Sequence, residues 1–282
     1  MADFILSAFA DEYSPNFDEQ LEGLKKNGVG FMEIRGVDGK NISDLTEDEM
    51  KAVREKLDKA GIGISSIGSP IGKIKTSDPF EPHLDKLRNC IKAAKILGTK
   101  NIRMFSFYMP EGVTREEARP EVMKRLAAML EIAKAEGITL CHENEKGIYG
   151  DSPETCLDIQ KEFGGEIKLI FDPANFIECG YEPYPHGFEL IGDRIYYMHI
   201  KDADENHKIA PAGKGIGRIP DIIRELDKRE GKLFLTVEPH LRVFKGLEAL
   251  ETDEKTKMPN TYATSYEAFG AAVDAIKAII AK

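Results

Sequence analysis

Four short apolar runs end on side chains that can ligate a metal or move a proton. ITLCHEN (138–144), KLIFDP (168–173), IYYMHIKD (195–202) and LFLTVEPH (233–240) carry Glu143, Asp172, His199 and Glu238 near their C-terminal ends. The intervals are 29, 27 and 39 residues (143 to 172, 172 to 199, 199 to 238). Each is close to the length of one strand followed by one helix, the last being stretched by a long connection. If the four runs are neighbouring strands, the three carboxylates and the imidazole meet at one point. Three carboxylates so close repel one another and are driven toward their protonated forms unless a cation joins them. Three oxygen donors and one nitrogen donor suit a single divalent ion, Mn²⁺ first, with Mg²⁺, Co²⁺ and Zn²⁺ also compatible.

The elements that would position these residues are legible as an alternation. Apolar, β-rich runs at 4–10, 31–35, 63–68, 101–107, 138–144, 168–173, 195–202 and 233–240 are separated by amphipathic stretches, among them 46–60, 79–97, 114–136, 152–163, 219–229 and 264–281. Lys-x-x-Gly endings at Lys25–Gly28, Lys134–Gly137 and Lys228–Gly231 put a base in a last helical turn and a glycine where the helix stops. Eight such units predict an α/β fold, a single (β/α)8 TIM barrel domain spanning 1–282. An open doubly wound sheet is disfavoured because no G-x-G-x-x-G turn follows the first strand. Residues 203–217 and 241–262 follow the seventh and eighth strands, on the face where barrels keep their chemistry. Loops of that length cover ligands, and 241–262 suits a lid or a subunit contact, which leaves a homo-oligomer open.

Bulk composition narrows the function classes. With 282 residues, 41% hydrophobic and 31% charged, the chain is neither disordered nor membrane-spanning. The N-terminal MADFILSAFADEY lacks a basic flank and runs into acids, so no signal peptide is read and a cytoplasmic location is expected. A net charge of −10 argues against nucleic acid as a partner. Cys90, Cys141, Cys156 and Cys179 form no C-x-x-C pair and are expected to stay reduced.

LCHEN, FDPAN, MHIKD and VEPH resemble, in order, the metal-binding segments of the sugar isomerases and epimerases with a xylose-isomerase-like barrel, ketose 3-epimerases among them. PAGKGIGRIPDII (211–223) is similar to the glycine-punctuated loop that follows the histidine in many members. The resemblance covers essentially the whole chain. It implies a small-molecule sugar substrate and one divalent metal held by Glu143, Asp172, His199 and Glu238, with Glu143 and Glu238 doubling as the acid/base pair. Two positions depart from the ketose 3-epimerases: Asn175 stands where they often carry histidine, and their arginine shortly after the metal histidine has no clear counterpart. The apurinic endonucleases share the barrel, but their three-zinc site needs more histidines than this chain supplies.

The chemistry expected is proton abstraction beside a carbonyl through a metal-stabilised enediolate, with the proton returned to the same or the adjacent carbon. The same site could serve a lyase or dehydratase acting on a keto-sugar, keto-cyclitol or oxidised glycoside, or a non-catalytic sugar-binding barrel. Strand alternation supplies further substrate-binding candidates. Lys201 shares the inward face of His199, with pairing to Asp202 or Glu145 as its structural alternative. Glu33 and Arg35 close the second strand as substrate contacts or as an ion pair with each other. His142 alternates away from Glu143, which suggests a supporting place, whereas Glu145 lies on the same side as Glu143 but beyond the strand. Asn175 and Lys208 complete the set. The glycines of PAGKGIG either admit the sugar close to the backbone or make turns.

Overall fold

The computed structural model describes residues 1–244, 256–259 and 261–281. Eight parallel strands close into a barrel: β1 (Ala2–Ala8), β2 (Phe31–Ile34), β3 (Gly63–Ile67), β4 (Asn101–Met104), β5 (Thr139–Glu143), β6 (Lys168–Phe171), β7 (Ile195–Ile200) and β8 (Gly231–Val237). Each strand pairs with its sequence neighbours, and β1 pairs with β8 from Ala2 opposite Gly231 to Ala8 opposite Val237. The α-helices longer than one turn are α1 (Phe17–Lys26), α2 (Glu47–Ala60), α3 (Glu81–Leu97), α4 (Arg115–Ala135), α5 (Pro153–Glu162), α6 (Pro173–Glu178), α7 (Ile219–Leu226) and α8 (Ser265–Ile280). Polar caps fix several starts: Thr46 and Thr114 form reciprocal boxes with Glu49 and Glu117, and Ser152 with Thr155.

Period-two alternation sorts the strands into two faces. Met32, Ile34, Ile102, Met104, Leu140, Leu169, Phe171, Met198, Ile200, Leu235 and Val237 belong to the large core shared with the helices. A separate small cluster of Cys141, Ile170 and Tyr197, with Phe234 packed on it, lies on the other face. Two residues further along each of these strands, or four along β8, stand Glu143, Asp172, His199 and Glu238. The barrel therefore has an apolar floor beneath a polar layer.

The differences from the sequence reading are local. Strand 101–107 stops at Met104, because Phe107 has a φ of +68° and Phe105 bonds its N–H to Ile71. The eighth strand starts two residues earlier than 233, at Gly231, and α7 ends at Leu226 rather than 229, so Gly231 opens a strand instead of closing a helix. The six-residue α6 has no counterpart among the predicted helices, because fewer than two turns carry no helical periodicity. Residues 202–203 leave β7 and pair antiparallel with 209–210. Residues 241–262, expected to form a lid or a subunit contact, lie largely outside the described residues. All four cysteines are free thiols. Among the described residues, no helix is long and apolar enough to cross a membrane.

Candidate metal centre

The four strand ends converge. One ligand atom from each of Glu143, Asp172, His199 and Glu238 lies within 4.8 Å of the others, and all four residues are buried. Glu143 is the last residue of β5, His199 lies inside β7, and Asp172 and Glu238 stand one residue past β6 and β8.

Each carboxylate is held in its own way. Asp172 caps α6, its Oδ1 accepting the Asn175 N–H at 3.0 Å, while its Oδ2 is buried without a hydrogen bond. Asn144 clamps the same residue through its backbone, donating to the Asp172 carbonyl and accepting its N–H, both at 2.9 Å. Glu143 receives Arg103 on Oε2 at 3.2 Å, and its Oε1 lies 2.8 Å from His199 Nδ1. Glu238 receives Arg35 on Oε1 at 3.0 Å and Lys201 on Oε2 at 2.8 Å. Lys201 Nζ also lies 3.1 Å from Asp172 Oδ2.

The ionisation pattern follows. Burial pushes Asp172 up to about 7, with Glu238 and Glu143 adding to the effect and Lys201 opposing it. Burial also works against Glu143, but His199 and Arg103 outweigh it and hold its carboxyl at about 2. Glu238 lies well below the usual range, because Lys201, His240, His199 and Arg35 together overcome its burial. His199 is lifted to about 10: burial disfavours its charge, but Glu143 and Glu33 more than offset that. Three buried carboxylates and an imidazole, each offering one ligand atom within 4.8 Å of the others, are what a divalent cation would join. The donor set fits one.

The other sequence-derived candidates divide. Asn175 joins the site by donating Nδ2 to Glu143 Oε1 at 3.3 Å and to the Asn144 carbonyl at 2.8 Å. Lys201 pairs with Glu238 and Asp172, not with Asp202 or Glu145. Glu33 and Arg35 form no ion pair with each other; one bonds to His199 and the other to Glu238, on opposite sides of the cluster. His142 is directed away from the cluster, its Nε2 lying 2.9 Å from Ser106 Oγ, and burial lowers its pKa to about 4. Glu145 pairs with Lys73 at 2.7 Å. Lys208 sits in the 202–210 hairpin, where its N–H donates to Asp204.

The glycine loop is fastened from within. Asp202 accepts four backbone N–H groups, from Ala203 and Gly217 on Oδ1 and from Gly213 and Gly215 on Oδ2, at 2.9–3.1 Å. A Cβ at Gly215 would lie 2.4 Å from Asp202 Oδ1 and 2.2 Å from the Ala203 carbonyl oxygen. These glycines are therefore required by the loop's own anchor.

Several residues beyond the sequence reading support the cluster. Asp11 takes Arg35 in a two-point pair at 2.8 and 3.0 Å, and Glu12 takes it at 3.2 Å. The Arg35 and Arg103 guanidiniums lie over the Phe9 ring, 4.4 and 4.9 Å from its centroid. Glu12, Glu238 and His240 form a second close group, and Arg35 already supplies its positive charge. Arg103 stands on β4 opposite Cys141, two residues before Glu143 on the neighbouring strand and on the same inward face, so strand alternation alone could have found it. Asp11 and Glu12 follow β1 within a single 3-10 turn, which no periodicity announces.

Comparison with known proteins fits this geometry. No curated protein matches the sequence. Among solved structures, the IolI protein, whose structure holds a zinc atom, is 15% identical with a TM-score of 0.71, covering 98% of both chains. The 3-keto-D-glucoside 4-epimerase YcjR from E. coli is 13% identical with a TM-score of 0.69, covering 100% of each. D-Psicose 3-epimerase from Clostridium cellulolyticum H10, crystallised with D-tagatose, is 12% identical with a TM-score of 0.69, covering 98% of each. At such identities the likeness establishes the fold. The family described as xylose isomerase-like TIM barrel matches residues 21–258, and the chain belongs to that family.

Proposed function

We propose that this protein is a divalent-metal-dependent carbohydrate isomerase or epimerase that moves a proton beside a carbonyl, with Glu143 and Glu238 as the acid/base pair. One observation carries the reading. Each glutamate has one oxygen tied to a buried guanidinium and the other turned toward Asp172, His199 or Lys201. The two stand on β5 and β8, with β6 and β7 between them on the ring, so they flank a substrate from two sides. The epimerases among the structural neighbours support the same class.

Glu143, Asp172, His199 and Glu238 would hold the ion, with Mn²⁺ the proposed occupant. When bound, it supplies positive charge that stabilises the anion developing on the substrate's carbonyl oxygen. Both glutamates are ionised in the folded protein, so either can accept a proton from the carbon beside the carbonyl. The opposite one, after taking a proton from solvent, delivers it to the other face of that carbon for epimerisation or to its neighbour for isomerisation, and the first glutamate then releases its proton to solvent. Arg35 and Arg103 keep the two carboxylates from rotating away as charge moves.

The test is solvent exchange. A panel of keto-sugars in D₂O with Mn²⁺ is expected to take up deuterium at one carbon, and product analysis separates epimerisation, isomerisation and elimination. Glu143→Gln and Glu238→Gln are each expected to slow exchange by about 100- to 10,000-fold. Near-wild-type turnover by either metal-loaded variant removes these roles.

A further inference from the structure

Glu33 is completely buried, and its surroundings are unusual for a carboxylate. Among the described residues neither a lysine nor an arginine pairs with it. Its Oε2 lies 3.2 Å from His199 Nε2, and its Oε1 accepts the Tyr197 hydroxyl at 3.1 Å. Burying a carboxylate inside the barrel is costly, and its only direct hydrogen-bond partners among the described residues are this imidazole and this phenol. The arrangement makes sense if the acceptor is needed where it stands.

The other face of the imidazole shows why. His199 Nδ1 lies 2.8 Å from Glu143 Oε1 and 3.9 Å from Glu238 Oε2, so this nitrogen points into the cluster. The Phe9 ring meets the imidazole edge-on at 5.2 Å, and the Tyr197 ring lies 5.7 Å away. An imidazole can ligate only through a nitrogen that carries no proton, and the acceptor at its other nitrogen decides which one that is. Phe31 and Glu33 alternate along one face of β2, with Arg35 one residue past its end, so the acceptor comes from a strand that contributes no ligand to the cluster.

We propose that Glu33 is the positioning residue of the metal centre: by accepting the Nε2–H of His199 it fixes the ring's orientation and commits Nδ1 to the ion. The inference rests on the metal-centre reading above and extends it to the strand on the far side of the barrel. Tyr197 in turn holds Glu33, so the chain runs Tyr197 to Glu33 to His199 to the cluster.

The experiment measures metal binding, without turnover. EDTA-treated wild type, Glu33→Met and Glu33→Gln are titrated with Mn²⁺, free ion being read by electron paramagnetic resonance. Co²⁺ loading gives a visible spectrum that reports the ligand field, and thermal melts of the metal-free proteins run in parallel. Glu33→Met, which removes the acceptor, is expected to weaken Mn²⁺ binding by about 10- to 100-fold and to change the Co²⁺ spectrum. Glu33→Gln keeps an oxygen acceptor and is expected to lose less. A merely structural role would lower the melting temperature and leave affinity and spectrum unchanged, which overturns the proposal. If Glu33→Met does not fold, Glu33→Ala, which also removes the acceptor, decides, with unaltered affinity and spectrum again overturning it. If wild type binds neither ion, the metal-centre reading falls and this inference falls with it.

Discussion

Replacing Lys201 by methionine tests whether the ammonium is the internal counter-cation of the site. Its Nζ lies 2.8 Å from Glu238 Oε2 and 3.1 Å from Asp172 Oδ2, with the side chain buried. Methionine keeps most of the volume and removes the charge. Breaking a buried pair by deleting one partner typically costs about 3–5 kcal/mol, because the surviving charge stays uncompensated. Asp172 limits the loss: already raised to about 7 by burial, it moves further up without the lysine and takes a proton. The lower end, about 3 kcal/mol, is therefore expected for metal-free protein, a fall in Tm of roughly 6–12 °C for a domain of this size. A divalent ion restores the missing charge, so metal must stabilise the variant more than the wild type. By linkage, a recovered 3 kcal/mol corresponds to Mn²⁺ binding tighter by about 100-fold. Calorimetric melts with EDTA and with saturating Mn²⁺, together with a Mn²⁺ titration, supply all the numbers. Equal metal-free melting temperatures, or an equal gain on metal addition, refute the reasoning.

Two further outcomes follow from other parts of the molecule. Gly215→Ala drives a methyl group against Asp202 and the Ala203 carbonyl; overpacking of this kind costs about 1–3 kcal/mol, measurable by urea unfolding, and an unchanged midpoint would contradict the anchoring of the loop. His83, whose Nε2 accepts the Gly72 N–H at 2.7 Å, has its pKa lowered by burial from 6.5 to about 4. Above pH 6.5 neither the folded nor the unfolded form is protonated there, whereas between 6.5 and 4 the unfolded chain alone binds the proton. Stability therefore falls as pH falls through that window, by at most roughly 3 kcal/mol from this group. His83→Gln, which retains an acceptor for Gly72, is expected to flatten that slope in urea titrations at pH 7 and pH 5, and an identical slope rejects the assignment.

How much of this was written in the sequence depends on the kind of signal. The barrel was legible because eight repeats of strand and helix leave few alternatives, and because Glu143, Asp172, His199 and Glu238 recur at one repeat length. Their convergence needed no side-chain knowledge, only the parallel register that carries each strand end to the same rim. Pairing was harder to read. Lys201 shares a face with His199, but whether its Nζ reaches Asp172 or Asp202 depends on where β7 ends, and it ends at Ile200, one residue before Lys201. Glu33 and Arg35 look like natural partners two residues apart, yet they belong to different heights of the interior. Phe9 occupies the space between Arg35 and Arg103, and each side chain finds its own glutamate or histidine. Asp11 and Glu12 had no periodic signal at all, since a three-residue turn carries none.

The hold that Asp202 keeps on the 213–217 segment divides that stretch into odd and even positions. Gly213, Gly215 and Gly217 give their N–H groups to one carboxylate and leave no space for a side chain at the latter two. Lys214 and Ile216, between them, are exposed. Variation in what the rim presents to an incoming molecule can therefore be written at 214 and 216 without loosening the fastening, whereas inserting or deleting a single residue would throw the whole comb out of step.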